Sequence, residues 1–102
     1  APAIVLEIEV DTIDQLRTAL TAGADLVLLD NMKPEVLREA VAIAAQHLAS
    51  TGRAVVLEAS GGLTLENAQS VAATGVNYIS VGALTHSAKV LDIGLDLETI
   101  VA

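Results

Sequence analysis

The chain contains no cysteine, tryptophan or phenylalanine, and Tyr78 is its single aromatic residue. Without cysteine there can be no disulfide and no zinc–thiolate centre, and this is typical of a reducing compartment, so we expect a cytoplasmic protein. Hydrophobic residues nevertheless make up 53% of the sequence, so the core must be built from Ala, Val, Leu and Ile side chains. Such a core suits helices packed on parallel strands.

Basic residues are also scarce, because five Lys and Arg stand against 13 Asp and Glu, which gives a formal net charge of -8. A chain without a basic face cannot displace counterions, so we expect neither nucleic acid nor an anionic membrane as a partner. No apolar run reaches the length of a membrane span, and residues 1–10 lack the basic start of a secretory signal. Any bound phosphate must therefore be held mainly by backbone amides or a metal ion.

Strand-like and helix-like hydrophobic patterns alternate along the 102 residues, a length that favours one domain over 1–102. The predicted strands are 4–10, 25–30, 53–59 and 77–81, and the tail from Leu91 to Ala102 could add a strand or a helix. Helices are predicted from Thr12 to Gly23, from Pro34 onward with a buried face, and from the N-cap Thr64 to about Gly75. The buried face of the second helix is predicted to comprise Leu37, Ala40, Val41, Ala44 and Leu48.

This alternation predicts right-handed βαβ units and an α/β fold with a parallel sheet. Gly23 and Gly75 open two similar segments about two βα units apart, as expected of a barrel built from such units. We therefore predict about four parallel strands, half of a TIM-like barrel. Such a half-barrel could pair with a second copy or rearrange to an open, doubly wound sheet.

Acidic side chains collect where the predicted strands end. Glu7 and Glu9 alternate with apolar residues on strand one, so they point inward if the apolar set meets the helices. Asp30 ends strand two, and Glu58 belongs to the end of strand three. Hydrogen bonds inside a barrel could satisfy such acids, but their mutual repulsion favours a metal ion or a positively charged ligand.

Strand three runs into Ser60, Gly61 and Gly62 just before the predicted third helix. The two glycines could form only a βα turn, or their amides and the helix dipole could hold a phosphate. Strand four ends near Gly82, followed by His86, which is either a surface loop residue or part of the same rim.

Four segments in this order resemble the C-terminal part of the quinolinate phosphoribosyltransferase family, also called carboxylating nicotinate-nucleotide pyrophosphorylases. These segments are "EIEVDTIDQL", "LVLLDNM", "LEASGGLTLEN" and "GVNYISVGALTHSAKVLDIGLDL". The resemblance implies an open TIM-like barrel that transfers phosphoribose from phosphoribosyl pyrophosphate to quinolinate, with loss of carbon dioxide to leave nicotinate mononucleotide. It also implies magnesium as the metal.

The resemblance assigns roles to individual residues. Glu9 and Asp30 match the acids that face the ribose hydroxyls and the metal-bound pyrophosphate, so they are the expected catalytic residues and indirect magnesium ligands. The residues expected to hold phosphate are Ser60, Gly61, Gly62, Gly82 and His86.

In the family, the basic residues that hold the two carboxylates of quinolinate lie in an N-terminal domain and in earlier strands that this sequence does not contain. We therefore expect an excised or engineered half-barrel that is inactive alone, and a self-associating structural module is the alternative.

Overall fold

The computed structural model describes residues 4–81 and 86–90, and strands alternate with helices through most of this part. The elements are β1 (Glu7–Val10), α1 (Ile13–Thr21), β2 (Leu26–Asp30), α2 (Pro34–Thr51), β3 (Val56–Ser60), α3 (Leu65–Ala72), β4 (Tyr78–Val81) and β5 (His86–Lys89). The alternation predicted from the hydrophobic pattern is confirmed.

One sheet contains all five described strands in sequential order. Strands β1 to β4 are parallel, as predicted, whereas β5 runs antiparallel to β4 and was not foreseen. A doubly wound sheet would reverse its strand order at a switch point, and the described strands show no reversal. The sheet is open, with β1 and β5 as its outer described strands.

One face of the sheet packs against the helices. Alternate residues of each parallel strand enter the core, where they meet buried residues of α1, α2 and α3 such as Leu16, Leu37 and Ala68. The strand residues in this core are Val10, Val27, Leu29, Leu57, Ala59 and Ile79. These positions explain why a core without large aromatic rings suffices, because small aliphatic side chains interdigitate between strands and helices.

The residues in between point to the opposite face, which we call the open face. It carries Glu7, Glu9, Leu26, Leu28, Asp30, Val56, Glu58, Ser60, Tyr78 and Ser80, all of them half-buried or exposed. The prediction that Glu7 and Glu9 lie opposite the helix-packed side is therefore confirmed, because Ile8 and Val10 take that side.

Some predicted boundaries differ from the structure. The first strand begins at Glu7 instead of at residue 4, and Ile4 is 89% exposed. Leu48 was predicted on the buried face of α2 but is 47% exposed, whereas Ile43 is buried. Helix α2 continues to Thr51, and most residues of its last two turns are exposed. Among the described residues, no helix has both the length and the hydropathy needed to span a membrane.

Truncation of a side chain on the helix-packed face of β2 should lower the free energy of unfolding more than truncation of its neighbour on the open face. Leu29→Ala removes a side chain that is 0% exposed, and we expect a loss of about 2–5 kcal/mol in the free energy of unfolding. Leu28→Ala truncates a half-buried side chain on the open face and should cost clearly less, because solvent already contacts it. Urea unfolding followed by circular dichroism measures both, and equal losses would contradict an uncovered open face.

Candidate functional site

The ends of β2 and β3 lie side by side at the carboxyl edge of the sheet. The register pairs Asp30 with Ser60 and, two residues earlier, Leu28 with Glu58. Glu9 pairs with Leu28, so it lies in the same row as Glu58 and one diagonal step below Asp30. The structure therefore brings Glu9, Asp30 and Ser60 to one region of the open face, as predicted.

The turn after β3 favours glycine at its first position. Gly61 has φ +81° and Gly62 has φ +66°, both in the left-handed region that disfavours other residues. A methyl group on Gly61 would lie 2.6 Å from Oδ1 of Asp30 and 3.1 Å from the amide nitrogen of Asn31, so the carboxylate would have to move away. A substitution at Gly61 is thus expected to strain the backbone and to displace the carboxylate.

The amides of this turn are unengaged within the described residues. Neither Gly61 nor Gly62 donates a backbone hydrogen bond there, although the Oδ1 atom of Asp30 lies beside Gly61. Unengaged, outward-facing N–H groups at the start of a helix are the donors that an anion requires when few cations are present. The geometry is therefore compatible with the phosphate interpretation of the sequence.

Helix α3 begins with the predicted N-cap, Thr64. Its Oγ1 accepts from the amide of Asn67 at 3.3 Å, and Oδ1 of Asn67 accepts from the amide of Thr64 at 2.8 Å. The Nδ2 group of Asn67 also donates to the carbonyl of Gly62 at 3.1 Å. The capping box engages two of the amides at this helix start, those of Thr64 and Asn67, and leaves the amides of Gly61 and Gly62 without a described partner.

A cleft of about 310 Å³ opens beside the glycine turn, between the start of α2 and the start of α3. Its apolar wall includes Met32, Leu63 and Val71, and Lys33 is the single cationic residue in its lining. The complete lining is Asn31, Met32, Lys33, Pro34, Gly61, Gly62, Leu63, Asn67 and Val71.

Two of the predicted phosphate residues are less well defined. Gly82 lies outside the described residues, so its predicted role stays a prediction. His86 belongs to strand β5 instead of a surface loop, and the register places its backbone opposite Val81 at the carboxyl end of β4. This register places the backbone of His86 at the carboxyl rim, as predicted.

Sequence reasoning missed a polar contact on the open face. Oγ of Ser80 donates to Oε2 of Glu58 at 2.8 Å, and this contact joins β4 to β3. The signal was present in the alternation of "YISV", because Ser80 shares a face with Tyr78, which pairs with Glu58. Lys89 of β5 pairs with Tyr78 in turn and brings a positive charge to the same row.

The carboxylates do not form a preassembled metal cage. Within residues 4–81 and 86–90, no three His, Cys, Asp or Glu side chains are grouped closely enough to hold a metal ion. Magnesium commonly takes one or two carboxylates and completes its shell with phosphate oxygens and water. Glu9 and Asp30 fit that indirect mode, since Asp30 borders the unengaged amides where a phosphate would lie.

Three of the five basic residues lie away from the candidate site. Arg53 lies at the amino ends of the strands, where its Nη2 donates to the carbonyl of Gly23 at 3.2 Å and is 3.7 Å from Asp25. Arg17 and Arg38 are exposed on helices. Lys33 beside the cleft and Lys89 on the open face are the two that remain near the candidate site.

Comparisons with known proteins identify the family of this chain. Residues 1–96 match the family "Quinolinate phosphoribosyl transferase, C-terminal domain". The nicotinate-nucleotide pyrophosphorylase (carboxylating) of Mycobacterium leprae is 48% identical over 97 residues, which are 95% of this chain and 33% of that protein. The human protein of the same name is 40% identical over 92 residues, or 90% of this chain and 30% of that protein.

Solved structures show the same relationship. The nicotinate-nucleotide pyrophosphorylase of Francisella tularensis superimposes with a TM-score of 0.68 at 41% identity, covering 83% of this chain and 29% of that one. The corresponding protein of Ehrlichia chaffeensis gives a TM-score of 0.66 at 38% identity, covering 78% and 27%. This chain spans about a third of the length of the curated relatives, and it belongs to the quinolinate phosphoribosyl transferase C-terminal domain family.

Proposed function

We propose that this chain is the phosphoribosyl pyrophosphate-binding part of a quinolinate phosphoribosyltransferase, arranged as half of a TIM-like barrel. The observation that carries the proposal is the contact between the turn after β2 and the turn after β3. It sets the carboxylate of Asp30 against the unengaged amides of Gly61 and Gly62. The relatives named above support the activity, since they are carboxylating nicotinate-nucleotide pyrophosphorylases.

In this proposal, the glycine turn holds the phosphate of the ribosyl substrate. The amides of Gly61 and Gly62 donate to the phosphate oxygens, and the hydroxyl of half-buried Ser60 adds a third donor. Backbone donors suit this chain, because its net charge of -8 leaves few cations to neutralise a phosphate. Gly82 and His86 would complete the set from the end of β4 and the start of β5.

Glu9 and Asp30 act on the reacting carbon. The nitrogen of quinolinate attacks the anomeric carbon of the ribose as the bond to pyrophosphate breaks. Carbon dioxide leaves the ring afterwards, and the ring carbon that carried it takes up a proton from water. Positive charge develops on the ribose during the displacement, and fixed carboxylates stabilise it electrostatically. When bound, magnesium would neutralise the departing pyrophosphate, with Glu9 and Asp30 as its indirect partners.

The same geometry leaves the quinolinate side of the reaction without binding groups. A dicarboxylate needs convergent cations, and among the described residues Lys33 and Lys89 are the ones near the rim. The four acids of the open face would also repel a dianion. We therefore infer that the chain binds the ribosyl substrate and does not complete the reaction alone.

Inorganic phosphate tests the anion site in the chain as it is. We expect a titration followed by NMR to shift the amides of Gly61, Gly62 and Gly82, because the donors of this turn are local backbone groups. Gly61→Ala should weaken the response at least several-fold, since the added methyl meets the carboxylate of Asp30. The amide of Gly52 is the internal control, because it is already bonded to Leu48 at the far end of α2. Shifts confined to residues away from the rim would contradict the assignment.

Catalysis and substrate binding can be tested separately. With magnesium, phosphoribosyl pyrophosphate and quinolinate, we expect no nicotinate mononucleotide from the isolated chain, whereas calorimetry should detect magnesium-dependent binding of phosphoribosyl pyrophosphate. Asp30→Asn keeps the size of the side chain but removes its charge, so it should abolish the magnesium dependence. Glu39→Gln, an exposed acid on α2, is the matched control and should leave binding unchanged. Turnover proportional to protein concentration would contradict the inferred inactivity.

A second candidate function, a self-associating structural module, is favoured by the exposed edge of β1. The carbonyl of Leu6 accepts from the amides of Asp25 and Leu26, so the backbone groups of Leu6 face β2. Those of the alternate residues Val5, Glu7 and Glu9 therefore face outward, and within the described residues they have no strand partner. An unpaired edge of this kind is a template for another extended strand.

We propose that a second copy pairs antiparallel with this edge, with Val5 of one copy opposite Glu7 of the other. That register avoids placing Glu7 opposite its own copy, which like-charge repulsion would disfavour. Ile4, Leu6 and Ile8 of both copies then share the helix side of the sheet. A short edge pairing of this kind is expected to bury less than the roughly 1,200–2,000 Å² of a stable interface, so the dimer should be weak and reversible.

Sedimentation at increasing protein concentration should show this equilibrium, which salt or magnesium should favour by screening the acids of the two copies. Glu7→Pro removes one outward N–H without touching the bonds to β2 and should shift the chain to monomer. Glu7→Ala keeps that N–H and removes a charge, so it should pair at least as well as the unaltered chain. A monomer at all concentrations, or equal behaviour of the two variants, would exclude this pairing.

A further inference from the structure

Asn31, the residue that follows β2, has an unusual backbone conformation. Its φ is +53°, and no other non-glycine residue of the described ranges has a positive φ. Asparagine is one of the few side chains that enter this left-handed region at modest cost, whereas alanine is strained there. The chain therefore uses a residue suited to a sharp bend immediately after the carboxylate of Asp30.

The bend brings Asn31 into contact with the glycine turn. Its amide donates to the carbonyl of Ser60 at 2.8 Å, which adds one hydrogen bond beyond the ladder between β2 and β3. A methyl group on Gly61 would lie 3.1 Å from the amide nitrogen and 3.4 Å from the Cα of Asn31. On Gly62, a methyl group would lie 3.4 Å from the side-chain Oδ1 of Asn31. Backbone and side chain of Asn31 thus pack along the whole glycine turn.

These contacts matter because of what lies on either side of Asn31. On one side is the carboxylate of Asp30, an acceptor whose Oδ1 would lie 2.6 Å from a methyl group on Gly61. On the other side are the amides of Gly61 and Gly62, which donate to no described group. If the two turns could slide, the carboxylate could occupy the amides itself and exclude a phosphate.

We propose that Asn31 is a positioning residue whose left-handed backbone fixes the spacing between the Asp30 carboxylate and the amides of Gly61 and Gly62. This inference rests on the proposed function, in which those amides hold the substrate phosphate. Asn31 itself need not touch the ligand. Its conformation, more than its amide group, is the property that the site requires.

Two substitutions separate conformation from side chain. Asn31→Ala removes the amide and strains the left-handed backbone, whereas Asn31→Gly removes the amide and leaves that conformation free of strain. Gly52→Ala is the matched control for stability, because Gly52 also has a positive φ of +74°, has nothing within 4 Å of an added methyl, and caps the far end of α2.

The first measurement is the amide spectrum of each chain without ligand. We expect Asn31→Ala to shift the amides of Ser60, Gly61 and Gly62, and Asn31→Gly to leave them close to their original positions. Gly52→Ala should not move them, although it strains the backbone in the same way. The second measurement is a titration with inorganic phosphate, in which Asn31→Ala should weaken the response at the glycine turn roughly fivefold or more. Asn31→Gly should restore it to within about twofold of the original chain.

Unchanged rim amides in Asn31→Ala, or equal changes in Gly52→Ala, would overturn the proposal, as would a failure of Asn31→Gly to restore the turn. The ligand-free spectra also keep this inference separate from the proposed function. If the original chain does not respond to phosphate but Asn31→Ala alone moves the glycine turn, the anion site is wrong and the positioning role of Asn31 is supported.

Discussion

The pairing of β2 with β3 is the constraint on which the candidate site depends. Five consecutive residue pairs, from Leu26 with Val56 to Asp30 with Ser60, fix the register. A slip of one residue would turn Leu29 and Ala59 out of the core and bury the acids in their place, so the hydrophobic pattern enforces this register strongly. The position of Asp30 beside the glycine turn therefore follows from the core packing of the strand residues that alternate with it.

The same alternation explains why acids can collect on one face without destabilising the fold. Glu7, Glu9, Asp30 and Glu58 all lie on the open face, where each keeps contact with solvent. Solvent screens their repulsion, and Glu58 also accepts a hydrogen bond from Ser80. A face with this charge pattern favours a cationic centre and excludes a free anion from the middle of the sheet. In the proposed function, the anion donors lie at the carboxyl edge of the sheet, where the amides of Gly61 and Gly62 donate to no described group.

Much of this arrangement could be predicted from the sequence because it depends on local chemistry. Period-two alternation located Glu9 on the open face, and the threonine three residues before Asn67 marked the start of α3. The double glycine identified a tight turn, and the structure adds that a side chain at Gly61 would displace the carboxylate of Asp30. The family resemblance added the roles of Glu9 and Asp30, which no spacing could have supplied.

The features that were missed depend on contacts between distant segments. The length of β5 and its antiparallel direction depend on pairing with β4. Leu48 continues the apolar stripe of α2, but it is 47% exposed, and its exposure depends on which neighbouring elements reach that turn of the helix. The bond from Ser80 to Glu58 joins residues 22 positions apart, and only the register reveals it. In the sequence Asn31 is an ordinary turn residue. Its left-handed backbone and its contacts with the glycine turn appear only in the structure.

The two substrates of the proposed reaction require different binding groups. A chain that supplies the groups for one substrate could therefore lack those for the other. A phosphate held by backbone amides needs a turn of the correct shape, and contacts between β2, β3 and α3 fix that shape. A dicarboxylate needs several convergent cations, which side chains from many strands must supply. Residues 30–34 and 60–67 are close in space and carry the first set of contacts among themselves. In the proposed function, the described part of the open face offers no such set of cations, so binding of the ribosyl substrate would not require the groups that hold the dicarboxylate.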